Sequence, residues 1–133
     1  MSANIKQYRI SEQFGDRFEV KLEVDHDKLT PARAEEHLRF WTSADDHIAE
    51  ANGNVVLAAI RSFGCEAIYN MLGDMGVDFS GGWHAENWSE KMRDIEGFGG
   101  EDGTPYGWIG IRILSAQAQS PSFEELDVKE INQ

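Results

Sequence analysis

The sequence is short of several things that would each announce a function. It has one cysteine, Cys65, so no disulfide can form within the chain, which excludes the small disulfide-stapled class and favours a reducing compartment. It has no run of 18 apolar residues, so no spanning helix is expected, and Met1-Ser2-Ala3-Asn4-Ile5-Lys6 lacks the apolar stretch of a secretion signal. A cytoplasmic location is expected. Cations are scarce: 12 Lys plus Arg against 24 Asp plus Glu leave a formal charge of −12, which argues against direct contact with nucleic acid or an anionic membrane. What is there fits one ordinary domain, 133 residues with 41% hydrophobic and 27% charged side chains, long enough to fold without a metal or disulfide staple.

Phe18, Val20, Leu22 and Val24 alternate with Arg17, Glu19, Lys21 and Glu23, the period of a strand with one buried face. Tyr8 and Ile10 repeat the pattern upstream of a Gly15-Asp16 turn, which predicts an N-terminal hairpin. A first helix is predicted over about 31–50. Thr30 is its N-cap, Pro31 its first residue and Leu29 a hydrophobic staple, with Ala34, Leu38, Trp41 and Ile48 on the inner face. Asn52-Gly53 stops it, and Asn54 caps a second helix over about 55–72 that should be the most buried element. Gly64 inside that helix implies close approach of another backbone, and Cys65 reads as a small buried hydrophobe.

Composition then changes. Nine of the 13 glycines lie between Gly73 and Gly107, with eight carboxylates against Lys91 and Arg93. Trp88, Met92 and Ile95 share a face over about 85–96, which allows a short helix; the remainder reads as glycine-rich loop. Ile109, Ile111 and Ile113 mark a last strand over about 108–115 that pairs with the hairpin, and residues 117–133 form a polar, acidic tail. The expected fold is α+β, in the order β-β-α-α-(α)-β. A small antiparallel sheet, made of the N-terminal hairpin and the C-terminal strand, is packed on one face by two main helices.

Tests for catalytic chemistry come back empty. His84-Ala85-Glu86 has the H-x-E form of a zinc deaminase but no following P-C-x-x-C. His26, His37 and His47 show no H-x-x-x-H spacing. The glycines from Gly97 to Gly103 enclose Glu101 and Asp102 where a phosphate loop would need a following Lys-Ser or Lys-Thr. The paired acids Glu35-Glu36 and Asp45-Asp46 point about 100° apart on a helix, and Asp25 and Asp27 around His26 fit turn chemistry. No catalytic residue, metal ligand or cofactor site is therefore assigned. Trp83 and Trp88, with Phe79 and Phe98 in an acidic frame, instead have the composition of a protein-binding surface.

Four strings, Val24-Asp25-His26-Asp27-Lys28-Leu29-Thr30-Pro31, Phe40-Trp41-Thr42-Ser43, Gly53-Asn54-Val55-Val56 and Gly107-Trp108-Ile109-Gly110-Ile111-Arg112-Ile113, carry a resemblance. Between Tyr8 and Ile113 the chain resembles a small family of proteins without assigned activity from temperate phages and prophages of proteobacteria. The resemblance implies a phage-related origin and brings no functional residues with it. On that footing the expected function is non-enzymatic. An acidic protein would occupy the basic nucleic-acid-binding surface of a host defence complex in the host cytoplasm, as an anti-CRISPR protein does. The expected contact residues are Asp74, Asp78, Trp83, Glu86, Trp88, Glu90, Asp94, Glu96, Glu101 and Asp102. The alternatives are a phage assembly accessory that self-associates and a small metal-dependent hydrolase.

Overall fold

The structure is a computed structural model that describes residues 4–13, 15, 17–40, 44–121, 124 and 126–131. Strands β1 (Ile5–Ser11) and β2 (Phe18–Asp25) form the expected hairpin, Tyr8 opposite Leu22 and Ile10 opposite Val20. Then come helices α1 (Pro31–Phe40), α2 (Ala44–Glu50) and α3 (Val55–Gly73), strand β3 (Val77–Ser80), helix α4 (Gly82–Arg93) and strand β4 (Ile111–Ala118). The sheet is antiparallel in the order β1-β2-β4-β3, so the chain is an α+β fold. Trp41, Asp16 and, in the tail, Ser122, Phe123 and Glu125 lie outside the described residues.

The inner face of the sheet follows from alternation. Val20, Leu22 and Val24 of β2 and Ile111, Ile113, Ala116 and Ala118 of β4 are buried, and α3 lays Ile60, Phe63, Ala67 and Met71 over them. Helix α1 packs on α3 through Ala34 and Leu38. The opposite face is polar, with Arg9 paired to Glu19 across β1 and β2, and Glu23 paired to Arg112 across β2 and β4.

The capping chemistry is as expected: the Thr30 hydroxyl accepts from Arg33 N–H at 3.3 Å and the Asn54 side chain from Leu57 N–H at 3.0 Å. Asn52 at φ 56° and Gly53 at φ 83° take the left-handed turn between α2 and α3.

Of the helix expected over 31–50, Pro31–Phe40 and Ala44–Glu50 are helical, and residues 41–43 between them lie outside the described residues. Arg39 bonds Asp45 across that stretch at 2.7 Å. Three expectations need correction. Cys65 is exposed rather than buried, because it sits on the side of α3 away from the sheet. Gly64 makes room not for a backbone but for the Ile10 side chain of β1, whose Cγ1 would lie 2.5 Å from an added Cβ. The segment 73–107, read mostly as loop, contains β3 and all of α4. Helix α3 is also long and apolar enough, by length and composition, to cross a membrane; its buried side is the centre of this core.

Strand β3 pairs only with Ser115–Ala118, so the first half of β4 has no strand on that edge. The β2–β4 register also slips, from Lys21 opposite Ser115 to Leu22 opposite Ile113, leaving Leu114 as the extra residue of a bulge. Helix α4 supplies the missing partners. Ser89 Oγ accepts from Ile113 N–H at 2.8 Å and donates to the Ala85 carbonyl, and Gly81 N–H donates to the Leu114 carbonyl at 2.8 Å. Ser89→Ala leaves the buried Ile113 N–H without this acceptor. It should lower unfolding free energy by about 1–3 kcal/mol, read as a shifted urea midpoint at unchanged slope.

Candidate functional site

The apolar side of α4 is Ala85, Trp88, Ser89, Met92 and Arg93, all buried, and its last member is a cation. The Arg93 side chain is only 4% exposed. Its Nε and Nη2 each donate at 2.8 Å to one oxygen of Glu101, and its Nη1 donates to the carbonyls of Pro105 at 2.9 Å and Ile111 at 3.3 Å. The planar guanidinium suits this fork, which places every nitrogen against an acceptor. Arg93 thereby fixes the 97–110 segment and completes the edge of β4. Gly107, at φ 69°, is glycine for the same reason: an added Cβ would lie 2.5 Å from Arg93 Cδ.

The rest of that segment is held from other directions. Phe98 is fully buried, stacked on His37 at 4.9 Å and edge-on to Phe63 at 5.1 Å, while His37 Nδ1 donates to the Gly97 carbonyl at 2.9 Å. Lys28 pairs with Asp102, whose other oxygen accepts from the Thr104 hydroxyl at 2.6 Å and from Thr104 N–H at 3.0 Å. Arg33 lies over the Trp108 ring at 4.8 Å and bonds its carbonyl. Tyr106 donates to Glu23 at 2.6 Å.

These contacts set the ionisation of the segment. Hydrogen bonds from Lys28 and then Thr104 hold Asp102 down to about 2. Burial, then the Glu23 carboxylate, pushes Tyr106 up to about 12. Burial raises Glu23, but the Tyr106 hydroxyl and Arg112 outweigh it and leave it below the usual carboxylate range. Burial holds His37 below the usual imidazole value.

The residues expected at a partner surface separate into three groups. Trp88 is 6% exposed and belongs to the core, which corrects its reading as an anchor: it faces the sheet, not solvent. Glu101 and Asp102 are engaged in internal ion pairs. Asp74, Asp78, Trp83, Glu86, Glu90, Asp94 and Glu96 are exposed. Five side chains on and just beyond α4, Trp83, Glu86, Asn87, Glu90 and Asp94, fall within an arc of about 100°, with the three carboxylates about 6 Å apart along the axis. Trp83 is 70% exposed at the head of this row, edge-on to His84 at 5.0 Å. Beside the row is a cleft of about 440 Å³, walled by Glu86, Glu90, Glu101 and the bulged Leu114, with Ser89 and Arg93 among its lining residues.

Sequence reading missed Ser89 and Arg93. Their signal was available as polar residues at the helical spacing of Ala85, Trp88 and Met92. His84 stacks with Phe79 and meets Trp83, and among the described residues no group of three or more His, Cys, Asp or Glu is placed to hold a metal ion.

The fold is thus a four-stranded antiparallel sheet with helices on one face, carrying an acidic row headed by an aromatic along α4. The chain belongs to the family of proteins of unknown function designated DUF2528, whose model matches residues 19–128. No curated protein and no solved structure matches it.

Two predictions test the internal scaffold. Glu101→Gln removes the charge opposite a buried guanidinium and should cost about 2 kcal/mol of unfolding free energy, measured by denaturant titration. Asp102 has a depressed pKa, so its contribution is complete above about pH 4 and is lost as pH falls toward about 2. Asp102→Asn should therefore flatten the acid limb of a melting temperature against pH curve. His37, also depressed, adds a loss that sets in below about pH 6.5 and should persist in that variant.

Proposed function

We propose that the protein is a non-enzymatic acidic binding module, phage-encoded and acting in the host bacterial cytoplasm, that inhibits a nucleic-acid-handling defence complex in the manner of an anti-CRISPR protein. The observation that carries this reading is the row on α4: exposed Trp83 aligned with Glu86, Glu90 and Asp94. A protein surface evolved to hold phosphates presents Lys and Arg at short intervals, and carboxylates spaced along a rigid helix complement it. The adjoining cleft, with Glu86 and Glu90 in its wall, accepts one basic side chain of the partner. Trp83 gives the apolar anchor that such interfaces centre on. Glu101 lies in the wall of the same cleft, and both it and Asp102 are held in ion pairs within the chain that brace this face.

The test is affinity capture from host lysate at low and high salt, followed by displacement: the captured complex is loaded with labelled DNA or RNA and the protein is titrated in. Release of the nucleic acid, weakened as salt rises, supports the proposal. Trp83→Ala and the combined Glu86→Gln, Glu90→Gln, Asp94→Asn variant should each weaken displacement on the order of tenfold or more, with unchanged circular dichroism. Recovery of only the protein itself overturns it in favour of a self-associating assembly accessory, and turnover of a substrate dependent on added divalent metal overturns it in favour of a hydrolase.

A further inference from the structure

Helix α3 is more apolar than its burial requires. By length and composition it could cross a membrane, yet only 39% of that stretch is buried, because the sheet and α1 cover one side of it. On the other side Arg61, Cys65 and Tyr69 are exposed at intervals of four residues, so they form one row along the helix. Leu57 is exposed at one end of that row, and Ile68 and Leu72 are half-buried beside its other end. A groove of about 350 Å³ between α2 and α3 opens next to it, lined by His47, Glu50, Arg61, Ser62 and Cys65 among others.

We infer that this face of α3 is a homodimer interface, in which α3 of a second copy packs antiparallel across a twofold axis at Cys65. The row is complementary to its own reversal. Inverting the helix about Cys65 sets Arg61 opposite Tyr69 of the second copy, a cation over an aromatic ring, and brings Leu57 beside Leu72 within one residue. Cys65 meets itself, and a side chain that small lets the helices approach closely. Arg61 and Glu66 take part in no ion pair among the described residues, and they are the only acid and base on α3. The helix is therefore neutral within a chain of charge −12, and two copies meet here without the repulsion they would face across α4. The Tyr69 ring of the second copy packs at the mouth of the groove that Arg61, Glu66 and the chain's own Tyr69 line.

The test is sedimentation velocity of the whole chain under reducing conditions over a concentration series, with diamide cross-linking alongside. The expected result is a concentration-dependent doubling of mass. Arg61→Glu and Tyr69→Ala should each raise the dissociation constant on the order of fivefold or more, and Trp83→Ala should leave it unchanged. Diamide should take one electron and one proton from each Cys65 thiol, becoming the hydrazine and leaving a disulfide-linked dimer that Cys65→Ser abolishes. A monomer at every concentration overturns the inference. So does a dimer that withstands Arg61→Glu and Tyr69→Ala, or one in which Cys65 does not cross-link.

Discussion

Arg93 is the contact on which the rest of the structure depends. A guanidinium at the buried end of α4 is tolerated because all three of its nitrogens are bonded, to Glu101 and to two backbone carbonyls. Its partners come from three places in sequence, the 97–103 loop, the 104–110 turn and the first residue of β4, and one side chain holds them in register. Such an arrangement contributes less through net stability than through uniqueness, since any other packing of the glycine-rich segment would strand a buried cation. The glycines are the counterpart of that restraint. Gly97, Gly99 and Gly107 all take positive φ, and at each an added Cβ would overlap a side chain, of Phe40, Trp108 and Arg93 respectively. At these three positions glycine therefore marks close packing, whereas at Gly100 and Gly103 an added Cβ would meet nothing within 4 Å and only the positive φ favours glycine.

Local periodicity explains which parts of the fold could be read beforehand. The hairpin and the α3 core helix were legible because each has a strong period, with Asn52-Gly53 and Asn54 marking the start of α3; the last strand was legible only in part, since it runs Ile111–Ala118 rather than 108–115 and takes Gln117 and Ala118 from the expected tail. The apolar stripe over 31–50 runs in phase, and the chain is helical on both sides of residues 41–43, over Pro31–Phe40 and Ala44–Glu50. Strand β3 was hidden by its length, since four residues, Val77-Asp78-Phe79-Ser80, alternate too briefly to stand out between glycines. Pairing it to Ser115–Ala118 is a tertiary decision that no local pattern encodes.

The candidate surface was legible in its charge and not in its direction. Counting carboxylates marks residues 73–107 as acidic but treats Glu90 and Glu101 alike, while the fold leaves both exposed and binds only Glu101 to Arg93. Helical spacing resolves part of this, because it places Trp88 with Met92 inward and Trp83 with Glu90 outward once the helix limits are known. The carboxylates of the loop could be sorted only by finding their cations, and those lie far away in the case of Asp102, which pairs with Lys28 in the turn between β2 and α1. Ion pairs between distant segments are where acidic composition stops predicting acidic surface.

Two sets of carboxylates in this region therefore do different physical work. Asp102 and Glu101 neutralise Lys28 and Arg93 and secure a loop that has little regular structure of its own. That loop in turn supports the inner side of α4, through Arg93, and α4 replaces the missing strand along half of β4. Only because the inner side is fixed in this way are Glu86, Glu90 and Asp94 held at constant spacing on the outer side, with Trp83 in line. A flexible acidic loop would lose the entropy of ordering on binding, whereas carboxylates on a braced helix have already incurred that loss on folding. The internal pairs and the exposed row are thus one arrangement: the first set of charges braces α4, and the braced helix holds the second set at fixed spacing.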